Sequence, residues 1–178
     1  LGGQACDIQK IGAIAKDNGL AVVEDGCHAL GTISGADDAF TSVGSCTHSD
    51  MTVFSFHPAK IVTMGEGGAI TTRDPLLAER LRLFRNHGIT RDPKSFQTEP
   101  VPGDWYYEQL VLGFNYRASD IHCALGTSQL KKLDGFVERR IELAARYDDA
   151  LSTLAPLLCP VSRPTTGRVA QHLYQVLI

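Results

Sequence analysis

A lysine and an aspartate, each directly after a short apolar run, are the residues best placed to do chemistry. Lys60 ends the segment Phe-Ser-Phe-His-Pro-Ala-Lys, and Asp25 follows Leu-Ala-Val-Val-Glu. Pyridoxal-phosphate enzymes use this pair, because the lysine bonds covalently to the cofactor and the acid keeps the pyridine nitrogen protonated. Spacing alone favours the alternative, two ordinary surface charges in loops at strand ends.

The two residues differ in what their chemistry requires. Lys60 must be neutral to attack a carbonyl carbon, and burial beside a cationic cofactor favours the neutral amine. The amine released by substrate can then move a proton between carbon atoms. Asp25 has Glu24 as a neighbour, but side chains alternate along a strand, so the two point to opposite faces, and Asp25 at the very end is better placed to meet a ligand. The alternative for Asp25 is a turn or helix cap.

Further polar residues lie close to this pair in sequence. His28 could hydrogen-bond a phenolic oxygen on a bound ring, and Ser55 could donate its hydroxyl to a phosphate or bond neighbouring backbone. His57 suits either a packed structural role or a substrate contact. Metal-ligand residue types also occur here, but their spacing matches no zinc motif, so no metal site is predicted. These residues are Cys27, His28, Cys46, His48 and His57.

Two other motifs have a functional and a structural interpretation. Gly65-Glu66-Gly67-Gly68 has no Walker or dinucleotide pattern and precedes a strand, so its glycines are expected to let the backbone turn beneath a ligand. Asn115 and Arg117 carry donors suited to phosphate oxygens. The alternative is a turn in which Ser119 or Asp120 only caps the following helix.

Hydrophobic periodicity predicts alternating helices and strands, which is typical of an α/β fold. Strands are expected at 20–24, buried on both faces, at 51–56, at 68–72 and within the last six residues. Helices are expected at 7–18 with Asp7 as the N-cap, from 74 to Gly88, at 119–130 and at 133–154. Loop or irregular structure is expected up to residue 50 after the first strand and at 90–112.

Composition limits the class of protein. The chain has 178 residues, 43% apolar and 21% charged, with a net charge of −3, so nothing favours nucleic-acid binding. No apolar run is long enough to cross a bilayer. Five cysteines without a CxxC spacing favour reduced cytosolic thiols. Because the chain opens on Leu1-Gly2-Gly3 and stops in a strand-like segment, we expect it to be an internal part of a longer protein.

Four motifs in order carry a resemblance to a known family. They are Val23–Gly31 (Val-Glu-Asp-Gly-Cys-His-Ala-Leu-Gly), Phe54–Lys60, Gly65–Ala69 and Leu112–Arg117. Together they resemble the DegT/DnrJ/EryC1/StrS family of sugar aminotransferases over nearly the whole chain. The resemblance implies an α/β fold of the type I, aspartate aminotransferase-like class, with a mostly parallel sheet and flanking helices. It implies that 1–133 form the second half of the large domain and that 134–178 begin the small domain.

The resemblance also implies a cofactor, pyridoxal 5′-phosphate, and a role for each site residue. Lys60 is the expected Schiff-base lysine, Asp25 pairs with the pyridine nitrogen, His28 lies near the phenolic oxygen, and Ser55 binds the phosphate. Asn115 is expected to reach the cofactor phosphate of a neighbouring subunit, because family active sites are shared across a homodimer.

The reaction implied is amino transfer from glutamate to the C4 ketone of a UDP-linked 4-keto-6-deoxy-N-acetyl hexosamine in pseudaminic acid synthesis, in the cytoplasm. The Cys-His-Ala-Leu-Gly and His-Pro-Xaa-Lys variants and Trp105–Glu108 favour that branch, and Arg117 is a candidate for the sugar-nucleotide phosphates. Family dehydratases replace the lysine with histidine, so Lys60 favours transamination. The alternatives are a dTDP- or GDP-linked ketosugar substrate, or a non-catalytic ligand-binding member. The segment alone is not expected to be active.

Overall fold

The computed structural model describes residues 1–36, 39–164 and 167–178. The chain divides into two compact units, Leu1–Arg73 with Asp120–Ile178, and Asp74–Ser119. In chain order the elements are α1 (Ile8–Asp17), β1 (Val23–Asp25), β2 (Ile33–Ala36), β3 (Ala39–Ser42), β4 (Met51–Ser55), β5 (Gly68–Thr71), α2 (Pro75–Arg85), β6 (Ile89–Thr90), β7 (Glu108–Gln109), α3 (Asp120–Leu130), α4 (Leu133–Leu151), β8 (Cys159–Pro160) and β9 (Val176–Leu177). The predicted domain boundary after residue 133 stays a prediction.

A three-stranded sheet in the first unit confirms the α/β class and the three strands predicted around the site. Its order is β1-β4-β5, with β1 parallel to β4 and β5 antiparallel to it. The sheet is therefore mixed, with one parallel pair where a mostly parallel sheet was expected. Asp25 lies opposite Val53, and Ser55 lies opposite Gly68.

The expectation that the first strand is buried on both faces is wrong. Val23 is 57% exposed and Asp25 is also exposed. The reason is position, because β1 is an edge strand of this sheet and β4 is the central one. The buried side chains accordingly lie on β4, where Thr52 is fully buried and Phe54 is only 5% exposed.

The expectation of a continuous loop up to residue 50 is also wrong. β2 and β3 form an antiparallel hairpin in which Ile33 pairs with Ser42, and the Val43 amide extends it by donating to the Thr32 carbonyl at 3.0 Å. Glycine and serine content suggested a loop, but Ile33 and Phe40 are good strand formers and the backbone pairing decides the structure. Residues 37–38, which come between β2 and β3 in the chain, lie outside the described residues.

The core of the first unit lies directly beneath the segment that carries Lys60. One buried cluster contains Phe54, Phe56, Val62 and Met64, and a second contains Ile61, Val137 and Ala170. Leu133 and Phe136 of α4 pack against both clusters. Burying a side chain of this size stabilises the fold by roughly 1.5–3 kcal/mol. The residues immediately before and after the Lys60 turn are therefore anchored in the core.

The helices confirm the predicted capping. The Asp7 carboxylate accepts a hydrogen bond from the Lys10 amide at 3.2 Å, as expected of the N-cap of α1. Asp74 caps α2, in which Pro75 occupies the first turn. Gly88 has a φ of +69° and donates to the Leu83 carbonyl, so the chain turns after α2 near the predicted glycine.

The remaining predictions hold with small changes of length. α3 and α4 occupy the two predicted helices, and a 3-10 turn at Ser152–Leu154 completes the second. The region 90–112 is largely irregular, as predicted, with a 3-10 turn at Pro93–Ser95 and the short β6–β7 pair. β9 is a two-residue strand within the last six residues and pairs with β8.

Within the part of the chain that the structure describes, no helix combines the length and apolar character needed to cross a membrane.

Candidate active site

The loop after β1 fixes the Asp25 carboxylate in its ionised form. Asp25 Oδ1 accepts a hydrogen bond from the Cys27 amide at 3.0 Å. The hydrogen bond from the Cys27 thiol is the main cause that lowers the pKa of Asp25, followed by that amide bond, by His28 when it is protonated in acid, and by the positive charge of Lys60. The loop therefore presents a carboxylate, rather than a carboxylic acid, at the exposed end of the strand.

The turn after β4 holds Lys60 through its backbone. The Lys60 amide donates to the His57 carbonyl at 2.9 Å, and the Ala59 amide donates to His57 Nδ1 at 3.1 Å. The Phe56 carbonyl accepts from the Met64 amide at 2.9 Å, which closes the loop behind Lys60. Lys60 itself is half-buried. The amine is thus attached to a turn whose two ends are tied to β4 and to the core.

Electrostatic interactions show which side chains share this edge of the sheet. The charge of Lys60 contributes to lowering the pKa of Asp25, of His28 and of Cys27. The Ser55 backbone also lowers the pKa of Cys27 by hydrogen bonding, although burial of the thiol outweighs it and raises that pKa overall. Asp25 and Ser55 end the parallel strands β1 and β4, so the loops that carry His28 and Lys60 leave the sheet at the same, carboxyl end.

His28 is a neutral, oriented imidazole. Burial is the main cause that lowers its pKa, and the positive charge of Lys60 adds to it, against the opposing effect of Asp25. Its Nδ1 accepts from the Gly2 amide at 3.4 Å. A neutral imidazole that accepts at Nδ1 carries its proton on Nε2. His28 can therefore donate a hydrogen bond from Nε2.

Ser55 and His57 are linked to each other at the start of the Lys60 turn. The Ser55 hydroxyl oxygen accepts from the His57 amide at 3.4 Å, so the hydroxyl proton points to another acceptor. His57 Nε2 lies 4.0 Å from the Glu66 carboxylate, and both side chains are exposed. Of the two interpretations offered for His57, a packed core residue does not fit, because its Nδ1 caps the turn and the ring faces solvent.

The glycines after Lys60 make room for neighbouring protein atoms. Gly67 has a φ of +152°, and a β-carbon there would lie 2.6 Å from the Met64 sulfur. A β-carbon on Gly68 would collide with the Phe54 carbonyl oxygen of the paired strand. These glycines give the backbone the predicted freedom. The atoms that come close to them belong to Met64 and to β4.

Asn115 and Arg117 lie in the second unit, in an exposed and locally braced turn. Arg117 Nη2 is 3.2 Å from Asn115 Oδ1 and 3.3 Å from His87 Nε2. The Phe114 amide donates to the carbonyl of Phe84 at 2.7 Å, and the backbones of Asn86 and Asn115 form a bridge. These contacts pre-set the turn while leaving the Asn115 and Arg117 side chains open to solvent.

Sequence reasoning missed two residues at the first site. Cys27 is the main partner of Asp25, and the Asp-Gly-Cys order could have predicted it, because an aspartate commonly bonds the amide two residues on. His172 packs on His28 with ring centroids 4.4 Å apart. No local pattern links two residues so distant in the chain. Within the described residues, no three His, Cys, Asp or Glu side chains are grouped to hold a metal ion.

Comparison with known proteins identifies the family of this chain. The DegT/DnrJ/EryC1/StrS aminotransferase family matches residues 1–178. The spore coat polysaccharide biosynthesis protein SpsC of Bacillus subtilis is 38% identical over 98% of this chain and 42% of its own length. The UDP-4-amino-4,6-dideoxy-N-acetyl-beta-L-altrosamine transaminase of Campylobacter jejuni is 32% identical over 99% of this chain, and the GDP-perosamine synthase of Caulobacter vibrioides is 34% identical over 99%.

Among solved structures, PseC of Helicobacter pylori, an aminotransferase involved in the biosynthesis of pseudoaminic acid, superposes with a TM-score of 0.85 at 30% identity. The match covers 99% of this chain and 43% of PseC. The fold is that of the type I pyridoxal-phosphate-dependent transferases, as the sequence predicts. The chain belongs to the DegT/DnrJ/EryC1/StrS aminotransferase family, and it spans less than half the length of the curated relatives it matches.

The cofactor indicated by this family is pyridoxal 5′-phosphate, in agreement with the sequence prediction. The donor set of the site fits that group. An ionised carboxylate suits a pyridinium nitrogen, an imidazole N–H suits a phenolic oxygen, and a primary amine suits an aldehyde carbon. All three groups lie at one strand edge, where their charges interact.

Proposed function

We propose that the full-length protein transfers an amino group from glutamate to the C4 ketone of a UDP-linked 4-keto-6-deoxy-N-acetyl hexosamine, using pyridoxal 5′-phosphate. The observation that carries the proposal is the shared edge of β1 and β4. There the positive charge of Lys60 helps to lower the pKa of Asp25, which is ionised, and the pKa of His28, which is neutral. Bound pyridoxal phosphate would supply an electron sink for the reaction at carbon.

Each residue at this edge has a distinct task in the proposal. The Lys60 amine holds the cofactor covalently and moves a proton to and from the reacting carbon. The Asp25 carboxylate pairs with the pyridine nitrogen, which the thiol and amide of Cys27 favour by keeping Asp25 ionised. His28 donates from Nε2 to the phenolic oxygen, and the Ser55 hydroxyl donates to the phosphate.

In the proposal the protein is a homodimer with shared active sites, and the exposed turn of the second unit contributes to the active site of the partner subunit. Asn115 would donate its amide to the cofactor phosphate of the partner subunit, and Arg117 would contact the sugar-nucleotide phosphates. Support comes from the bracing of this turn, whose side chains are oriented yet open to solvent. The cytoplasm is the proposed location, in keeping with five free cysteines.

The covalent link gives the first test. Borohydride reduction of the full-length protein with cofactor should attach the cofactor to Lys60, as read by peptide mass, and remove the visible absorption of the bound form. Lys16→Ala, which changes an exposed lysine on α1, should label normally, whereas Lys60→Ala should not label. Attachment at a different lysine would contradict the proposal. Absence of any attachment would instead favour a non-catalytic ligand-binding member of the fold.

A second candidate substrate class is a GDP- or dTDP-linked 4-keto-6-deoxy sugar. The observation favouring it is that the GDP-perosamine synthase of Caulobacter is 34% identical to this chain, slightly more than the 32% of the Campylobacter transaminase. Turnover of UDP-, dTDP- and GDP-linked ketosugars with glutamate separates the two. Turnover of the UDP substrate alone supports the leading proposal, and turnover confined to GDP or dTDP substrates overturns it.

A further inference from the structure

His28 is packed against a second histidine that the proposed reaction does not use. The ring centroids of His28 and His172 are 4.4 Å apart, with an angle of 50° between the ring planes. His172 is only 9% exposed, whereas His28 is half-buried. His172 therefore lies on the protein side of His28.

A pair of glycines ties the two histidines together. The Gly2 amide donates to His28 Nδ1 at 3.4 Å, and the Gly2 carbonyl accepts from the His172 amide at 2.9 Å. Gly3 has a φ of +106°, and a β-carbon there would lie 3.2 Å from both the His28 carbonyl oxygen and the His172 nitrogen. Only glycine lets the chain pass between these two segments without strain.

The side chains of Thr32 and Arg140 also fix the backbone around His172. Thr32, which is 1% exposed, donates from its hydroxyl to the Gly3 carbonyl at 2.7 Å and accepts from the Ala170 amide at 3.1 Å. Arg140 Nη1 donates to the His172 carbonyl at 3.2 Å. The amide and the carbonyl of His172 are thus both hydrogen-bonded, so the backbone that carries the ring is held in place.

The His172 ring is uncharged at neutral pH. Burial is the main cause that lowers its pKa to about 4, and His28, when it is protonated in acid, adds to the effect together with the positive charges of Lys60 and Arg140. Its Nδ1 is buried and has no hydrogen-bond partner among the described residues. The charged groups that act on His28 are Lys60, which lowers its pKa, and Asp25, which raises it.

We propose that His172 is a positioning residue. Its buried ring packs against the His28 imidazole and keeps His28 Nδ1 on the Gly2 amide, with the proton on Nε2. The packing of this planar ring against His28 performs the role, so its nitrogens are not required. Without the His172 ring, the His28 ring can rotate and gains contact with water, and its Nε2–H loses a fixed direction. The link from His28 to the cofactor rests on the proposed function, but the orientation of His28 by His172 does not.

The test compares three substitutions in the full-length protein. His172→Phe keeps a flat ring, His172→Ala removes it, and Tyr174→Phe is the matched control, because it removes a 2.8 Å hydrogen bond to Asp148 from the same segment without touching His28. Nitrogen-15 NMR of labelled histidines reads the tautomer and pKa of His28 without cofactor. We expect an Nε2–H tautomer in the wild type, in His172→Phe and in Tyr174→Phe. In His172→Ala we expect mixed tautomers and a pKa that rises toward the ordinary 6.5.

Two results overturn the proposal. One is a His28 tautomer and pKa unchanged in His172→Ala, and the other is a His172→Phe protein that behaves like His172→Ala. If His172→Ala does not fold, His172→Leu replaces it, because leucine keeps apolar volume but has no planar ring.

In the cofactor-loaded protein we expect His172→Ala to lower kcat about 10- to 100-fold, the cost of a misplaced group, with little change in KM. If borohydride does not label Lys60, the proposed function is wrong. The NMR measurement on His28 still tests the role of His172, because it is made without cofactor.

Discussion

The Lys60 edge and the Asn115 turn are both braced by backbone hydrogen bonds, yet their side chains stand in different electrostatic surroundings. At the Lys60 edge, the pKa values of Asp25, His28 and Cys27 all respond to the same lysine. In the turn, Asn115 contacts Arg117, which also reaches His87, and the Asn115 and Arg117 side chains are exposed.

This difference indicates that the first region is organised for chemistry by its own residues, whereas the second needs something else to complete it. Interactions between charges are stronger where water is partly excluded. A substitution at the Lys60 edge should therefore change the protonation of its neighbours. A substitution in the Asn115 turn should have little effect until a ligand or a second subunit covers it.

Removing the Lys60 amine should have the largest effect. We expect Lys60→Ala to lower amino transfer by at least about 10³-fold, because the amine is both the covalent link and the proton carrier. Lys60→Arg should be nearly as inactive, but it retains the positive charge and so should keep the pKa of His28 low. In Lys60→Ala that pKa should rise, since a lowering charge is lost. Steady-state kinetics and histidine NMR measure the two effects, and equal pKa values in both variants would contradict the coupling.

The acid stability of the first unit should depend on His172. Its pKa is about 4 in the folded protein and 6.5 when unperturbed, so the unfolded chain binds the proton more readily. The stabilisation is complete above pH 6.5 and is lost as the pH falls toward 4, by roughly 3 kcal/mol. Urea unfolding from pH 7 to pH 4 should show this loss in the wild type and in Tyr174→Phe, but not in His172→Phe. If the free energy of unfolding of His172→Phe falls as much between pH 7 and pH 4 as that of the wild type, the prediction is wrong.

Replacing the Asp25 carboxylate should have an intermediate effect. We expect Asp25→Asn to lower kcat/KM about 10- to 100-fold, the contribution of a charged hydrogen bond. After burial, Asp25 is the main cause that raises the pKa of Cys27, so the variant should also show faster alkylation of that thiol at mildly alkaline pH. Glu24→Gln is the matched control, because Glu24 instead accepts from the buried Thr52 hydroxyl at 2.9 Å. Similar alkylation rates in the two variants would contradict the assignment.

Local sequence patterns predicted the strand ends but not the contacts between distant segments. Asp25 and Ser55 could be placed because each ends a run of strand-forming residues, and the structure has strands ending at both. The β2–β3 hairpin was missed because its pairing outweighs the loop-like composition around it. His172 could not be found, since its relation to His28 depends on Gly2 and on backbone bonds across the unit.

Asn115 should have the smallest effect on the isolated subunit. Because its side chain is exposed, Asn115→Ala should change the free energy of unfolding by no more than about 0.5 kcal/mol. We expect cofactor affinity to fall only about three- to tenfold, the worth of one hydrogen bond. If Asn115 acts across a dimer, mixing Asn115→Ala with Lys60→Ala subunits creates mixed dimers in which one site has both native residues. Equilibrium binding and activity measurements on such a mixture should recover sites of native affinity and turnover. No recovery after subunit exchange would place Asn115 in its own subunit's site, or in none.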